Sequence, residues 1–256
     1  MLEPVATICI TGSTDGIGRV AARTLLEQGH RVLVHARDEA RGRPVVDALP
    51  GDVDLVLGDL ASLAQVRALG ERLRAEPLHV LAHNAGVWVR DGTPPLTEDG
   101  FETTFGVNVL APHLLTALVA GHLSDRLLWL GSGMAASGRL KPSALGSARE
   151  PRQAYADSKA ADVALAQGWG RRLAIPSAAV DPGWVRTKLA SAGAPGEVEA
   201  GADTLAWCCT QAPLDEAPYW KDRRGAAVPG RLRDTGLQDA VLAACDRLSG
   251  LSPAQP

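Results

Sequence analysis

Tyr155 and Lys159 stand four residues apart in Tyr155-Ala156-Asp157-Ser158-Lys159, a spacing that puts both side chains on one face of a helix. A free phenol, with a pKa of about 10, is a poor base near neutrality. An ammonium about 4 Å away favours the phenolate by up to roughly 4 kcal/mol at an effective dielectric of about 20, before desolvation is subtracted, or about three pKa units. That brings the tyrosine towards working pH. Ser132, at the end of an apolar run, offers a hydroxyl that can hold a substrate oxygen while Tyr155 gives or takes its proton. The matching reaction is hydride exchange between a nicotinamide and the adjoining carbon, and it needs no metal. Taken alone, the pair has a second reading, a lysine stem packing on a tyrosine along an amphipathic helix.

A nicotinamide asks for a dinucleotide site, and Thr11-Gly12-Ser13-Thr14-Asp15-Gly16-Ile17-Gly18 follows the first apolar run. Glycines in a turn that opens a helix let backbone approach a pyrophosphate with no Cβ in the way, and the helix N-terminus offers free N–H donors. The spacing is G-xxx-G-x-G rather than G-x-G-xx-G, and such a turn also serves as a plain strand-to-helix connection. An NAD-binding fold carries an acid at the end of its second strand. Here that strand ends Val34-His35-Ala36-Arg37-Asp38. Ala36 removes the carboxylate that would repel a 2′-phosphate, and Arg37 can bind that phosphate, which favours NADP(H). A solvated Arg37, partly neutralised by Asp38, is the other reading.

Positioning these groups takes alternating strands and helices. Apolar runs at 5–10, 31–36, 53–57, 79–83, 127–130 and 177–180 read as strands. Helical spacing covers Ile17, Val20, Ala21, Thr24, Leu25 and Leu26 up to Gly29, then 63–74, 101–123 with a break near Pro112, 154–173, and a segment from near Glu199. Strands that are apolar throughout imply a parallel sheet covered on both faces. The expected fold class is α/β, a single doubly wound (Rossmann) domain over 1–256 with a mainly parallel central sheet. The Ala-, Gly- and Pro-rich stretch 191–196 is expected to be a mobile loop and the tail 251–256 to be disordered.

The chain has 256 residues, 46% of them hydrophobic, with a net charge of -3, so it can bury a sizeable core and presents no broad positive field for nucleic acid. No apolar stretch is long enough for a membrane span or a signal sequence, and the expected location is the cytoplasm. Cys9, Cys208, Cys209 and Cys245 lack zinc-site spacing and read as buried thiols in a reducing compartment; the six histidines likewise show no ligand pattern. Of the six tryptophans, Trp88, Trp184 and Trp220 lie in or near loops and read equally as pocket walls or core plugs, whereas Trp129, Trp169 and Trp207 read as packing residues.

Over about residues 5 to 250 these features resemble the classical short-chain dehydrogenase/reductase family. Residues 11–18 match its cofactor loop, Asn84-Ala85-Gly86 the motif after its fourth strand, Asn108 its helix asparagine, Ser132, Tyr155 and Lys159 its active site, and Pro182-Gly183-Trp184-Val185-Arg186-Thr187 its P-G-x-V-x-T segment. The resemblance implies cofactor contacts from Gly12, Thr14, Asp15, Gly16, Ile17, Gly18, Arg37, Asp59 and Leu60 (the last two at the adenine), and from Ala85 and Gly86. It also implies that Asn84 stabilises the central strands and that Pro182, Gly183, Val185 and Thr187 line the nicotinamide. Asn108 is expected to hold a proton-relay water through its carbonyl, and Lys159 to bind the nicotinamide ribose as well. Without the family, Asp59 reads as a turn residue and Asn108 as a polar group inside a helix.

The Arg-ending second strand, Trp184, and a tail with Tyr219 before a helix at about 235–250 look like the retinol-dehydrogenase-like branch, which acts on bulky apolar carbonyls and alcohols. Two departures stand out. Twenty-two residues separate Ser132 from Tyr155, so an inserted loop is expected over the site, and the region 174–177 is compressed. Segments of about 133–153 and 188–198 are the expected substrate loops. The resulting expectation is an NADP(H)-dependent reductase or dehydrogenase for a carbonyl or alcohol, with no nucleic-acid partner. Homo-oligomers in this family pair the helices corresponding to 101–123 and 154–173. A non-catalytic NADP(H)-binding redox sensor or scaffold, and a structural subunit, are the competing classes.

Overall fold

Every residue of Thr7–Ile10 (β1), Val80–His83 (β4) and Ser177–Asp181 (β6) is buried, as is all but the first residue of Arg126–Leu130 (β5). A strand with no polar side needs cover on both faces, which parallel sheets provide. The computed structural model describes residues 5–92, 94–147, 150–190 and 193–251. Arg31–Ala36 (β2) and Val53–Leu57 (β3) extend the sheet on one side, Tyr219–Lys221 (β7) and Arg224–Gly225 (β8) on the other. The order is β3-β2-β1-β4-β5-β6-β7-β8, parallel except for β8. The chain changes direction across the sheet between β1 and β4, and ligands of such sheets bind outside the strands' carboxyl ends at that point.

Helices Gly16–Glu27 (α1), Glu39–Val46 (α2) and Leu63–Arg74 (α3) are each entered through a side-chain cap, from Asp15, Asp38 and Ser62. α1 and α2 share one core with Val198–Thr210 (α7). α3 lies on the opposite face with Ala111–Val119 (α5), Pro151–Arg172 (α6) and Thr235–Leu248 (α8). β7 and β8 went unread in the sequence because they are too short to show a period. α2 did too, since it carries Pro44 and buries little besides Gly42 and Val45.

The stretch 101–123 is not one helix. Thr103–Phe105 (α4) passes into a π-helical turn, Gly106–Leu110, and then into α5. The irregularity precedes Pro112 because Pro112 has no N–H to meet the carbonyl of Asn108 four residues back; the ladder shifts by one residue, and Ala111 donates to Gly106 O instead. α8 packs on α5 and α6. Asp246 of α8 accepts from His113 Nε2 at 2.8 Å and from Arg172 at 3.3 Å. Among the described residues no helix is long and apolar enough to cross a membrane. The expectations for residues 191–192 and 252–256 lie outside the described residues.

Candidate active site

Gly12 has φ 64°, and a Cβ there would sit 2.8 Å from Ala85 Cα, so this turn accepts only glycine. β4 is braced against it: Asn84 Nδ2 donates to Thr11 O at 2.8 Å and Gly12 O at 3.1 Å, while Thr11 Oγ1 accepts from the amides of Asn84 and Ala85. Gly18 packs against the same Asn84 amide. A further brace is His35 of β2, whose Nδ1 accepts from Gly12 N at 2.9 Å while Nε2 lies 2.9 Å from Gly58 O. Burial pushes its pKa down to about 4 despite the Gly58 bond and Asp59, so the ring is neutral and its two nitrogens serve as one acceptor and one donor. Sequence reading passed over His35, since nothing local says that it reaches Gly12.

From this turn to the carboxyl end of β2 runs an open groove. Arg37 and Arg41 both lie on it, with Nε atoms 3.3 and 3.5 Å from Asp38 Oδ2, and each side chain is more than half exposed. Asp38 is held by the Arg41 amide at 2.9 Å. Arg41 was missed, although its place in the first turn after β2, four residues from Arg37, was the available signal. Asp59 accepts from Ala61 N at 2.9 Å and, with Leu60, forms the adjoining wall. Left-handed Gly12 and Gly16, the open N-terminus of α1 and two accessible guanidinium groups fit an anionic dinucleotide. Across the groove Lys188 pairs with Asp15 at 2.5 Å and holds its carboxyl below the usual range.

At the other end stand Ser132, Tyr155 and Lys159. Ser132 lies two residues past β5 and caps the next turn by accepting from Met134 N at 3.2 Å. Tyr155 is buried, with the Trp88 ring stacked on it at 4.7 Å and Arg90 over the Trp88 ring at 4.2 Å. Lys159 Nζ lies 5.9 Å from the Tyr155 ring centre and donates to Leu130 O at 2.8 Å and to Asp162 Oδ2 at 2.9 Å. The sequence reading did not single out Asp162, the ion-pair partner of Lys159. The expected net lowering of the Tyr155 pKa is corrected here: burial raises it, Lys159 pulls it back only in part, and Asp162 adds to the rise. Lys159 stays charged because Asp162 and Tyr155 outweigh the burial that opposes it. Asn108 lies behind the site, where Oδ1 accepts from Val87 N at 2.7 Å and Nδ2 donates to Val87 O and Ser158 Oγ.

The groove and this end form one cleft of about 1090 Å³, lined by all the expected site residues except Gly18 and Asn108. The segment after β6 supplies Pro182, Gly183, Val185 and Thr187; Gly183 has φ 77° and is fixed by Asp181 Oδ1 at 2.9 Å. Of the two expected substrate loops, Lys188, Leu189 and Ala190 line the cleft, as do Gly133, Met134 and Arg152. The middle of the longer loop packs instead on the core, with Leu140 buried and Gly146 against Phe105. Trp88 and Trp184 line the cleft, whereas Trp220 is buried against Trp207.

Residues 6–197 match the family model for short chain dehydrogenases. Over 260 residues the chain is 36% identical to the Streptomyces sp. (strain C5) protein named "Putative daunorubicin C-13 ketoreductase DnrU", covering 91% of this chain and 89% of that one. It is 36% identical over 209 residues to retinol dehydrogenase 14 of Mus musculus, covering 72% and 62% of the two chains. The solved structure of the short-chain dehydrogenase from Sphingobium yanoikuyae in complex with NADPH superimposes with a TM-score of 0.68 at 25% identity over 98% of both chains.

Proposed function

This chain belongs to the short-chain dehydrogenase family, in the classical branch that includes the retinol dehydrogenases, and from that premise we propose that it is an NADP(H)-dependent oxidoreductase of bulky apolar ketones, aldehydes or alcohols. One observation carries the reading: Ser132, Tyr155 and Lys159 lie at one end of a cleft whose other end presents the glycine turn, Arg37 and Arg41. The NADPH of the Sphingobium relative and the named activity of the Streptomyces relative support it.

The glycine turn and the α1 N-terminus would hold the pyrophosphate, Arg37 and Arg41 the 2′-phosphate, Asp59 and Leu60 the adenine. Lys159 would hold the nicotinamide ribose, beside Pro182, Gly183, Val185 and Thr187. Bound there, the dinucleotide supplies or accepts a hydride. Ser132 orients the substrate oxygen, Tyr155 exchanges a proton with it, and Trp88, Trp184 and Met134 keep water from the apolar substrate. Pro112 has no N–H to offer the Asn108 carbonyl, which would hold a relay water. The buried free thiols suit a cytoplasmic protein.

Wild-type protein is expected to bind NADPH more tightly than NADH in a fluorescence titration. Arg37→Asp should reverse that order, by about tenfold or more for the loss of a charged hydrogen-bonded contact. Equal affinities in the wild type would defeat the NADP assignment.

A further inference from the structure

Asp162 lies one turn beyond Lys159 on α6, and both side chains are only 4% exposed. Its Oδ2 takes a hydrogen bond from Lys159 Nζ, whereas its Oδ1 is buried with no hydrogen-bond partner. A buried carboxylate with half its acceptors unmet depends on its one ion-pair partner, and the ammonium that compensates it has less field left for other groups. The second contact of Lys159, to Leu130 O, also draws Nζ towards the sheet rather than the phenol.

We propose that Asp162 is a positioning residue that holds Lys159 as a near-neutral pair and so keeps the Tyr155 phenol protonated in the free enzyme. The inference rests on the oxidoreductase reading. In reduction the Tyr155 hydroxyl gives its proton to the carbonyl oxygen while a hydride from the reduced nicotinamide dinucleotide reaches the carbon, and solvent reprotonates the phenolate. Oxidation needs the phenolate first.

The charged groups around Tyr155 divide evenly. Lys159 of α6 and Arg90 after β4 favour the phenolate; Asp162 of α6 and Asp181 of β6 oppose it. Asp162 itself faces Lys159 on its own helix and the Cys245 thiol of α8, which stays protonated. Burial lifts the Asp162 carboxyl to about 6 against the pull of Lys159, whose ammonium donates to it at 2.9 Å. Removing its charge leaves only Asp181 to oppose Lys159 and Arg90 at the phenol.

The chain has only two tyrosines, so phenol ionisation can be read directly in ultraviolet absorbance. Tyr219 is pushed well up by burial and by Asp181, and a Tyr219→Phe background removes it altogether. In that background, with neither nucleotide nor substrate present, Asp162→Asn should lower the Tyr155 midpoint by about one pH unit, and Asp162→Ser should do the same if the amide packs poorly. With NADP(H) and a ketone–alcohol pair, the pH profiles of reduction and oxidation should both move to lower pH by about the same unit. A midpoint unchanged or raised in both variants overturns the proposal, as does a lowered midpoint with unmoved pH profiles. Because the titration needs no turnover, its failure is distinct from failure of the oxidoreductase reading, which Tyr155→Phe tests.

Discussion

At Tyr155 a single hydroxyl separates the catalytic reading from a packing role. Tyr155→Phe keeps the ring that stacks on Trp88, so fold and NADPH binding are expected to survive while hydride transfer falls by about 10²–10⁴-fold, the usual contribution of a general acid or base. Single-turnover transfer at saturating NADPH checks this, and a near-wild-type rate would reduce Tyr155 to a helix-packing residue. Lys159→Ala should damage both binding and rate, since the same Nζ serves the expected ribose contact, the phenol and buried Asp162. The residues of this cluster that were legible are those with local spacing. The size and sign of the tyrosine's pKa shift were not, because burial exceeds the pull of the lysine and no spacing rule reports burial.

Between elements, the contact of β2 with the glycine turn carries a pH dependence. His35 is held at a pKa of about 4 by burial, against about 6.5 in an unfolded chain. The unfolded chain therefore takes up the proton first. The stability owed to neutral His35 is whole above pH ~6.5 and is lost as pH falls towards 4, by up to about 3 kcal/mol. His83 of β4, pushed down to about 3 by burial, adds to the same trend. Urea midpoints measured between pH 7 and pH 4 should decline, and His35→Gln should flatten part of the decline; an unaltered slope would remove His35 as its source. The order of strands and helices here was legible because each strand is apolar throughout. The π-helical turn was half legible: Pro112 announced a break, and the lost N–H displaced it to the residues before.

For the whole molecule, the decisive addition is α8, which docks on α5 and α6. α8 packs against both α5 and α6, the two helices whose pairing is expected in an oligomer. The protein is expected to show no association through α5 and α6, and light scattering with cross-linking on those helices would reveal one. Asp246 fixes the docking through His113 and Arg172. Asp246→Ala leaves the buried His113 without its partner and should cost about 2–3 kcal/mol, lowering Tm by roughly 4–12 °C in thermal denaturation. An unchanged Tm would show that apolar contacts alone seat α8.

By itself the sequence determined what short-range regularity can encode. Fully apolar runs required a covered parallel sheet, the glycines at 12, 16 and 18 marked the turn that opens α1, and a four-residue spacing joined Tyr155 to Lys159. Only the tertiary structure decided which distant groups complete those motifs: His35 under Gly12, Trp88 over Tyr155, α8 across α6. It also decided how far each charge is desolvated. Asp162 is three residues from Lys159 in the chain, but its influence comes from the loss of water around both, and that loss exists only once β5, α6 and α8 are packed together.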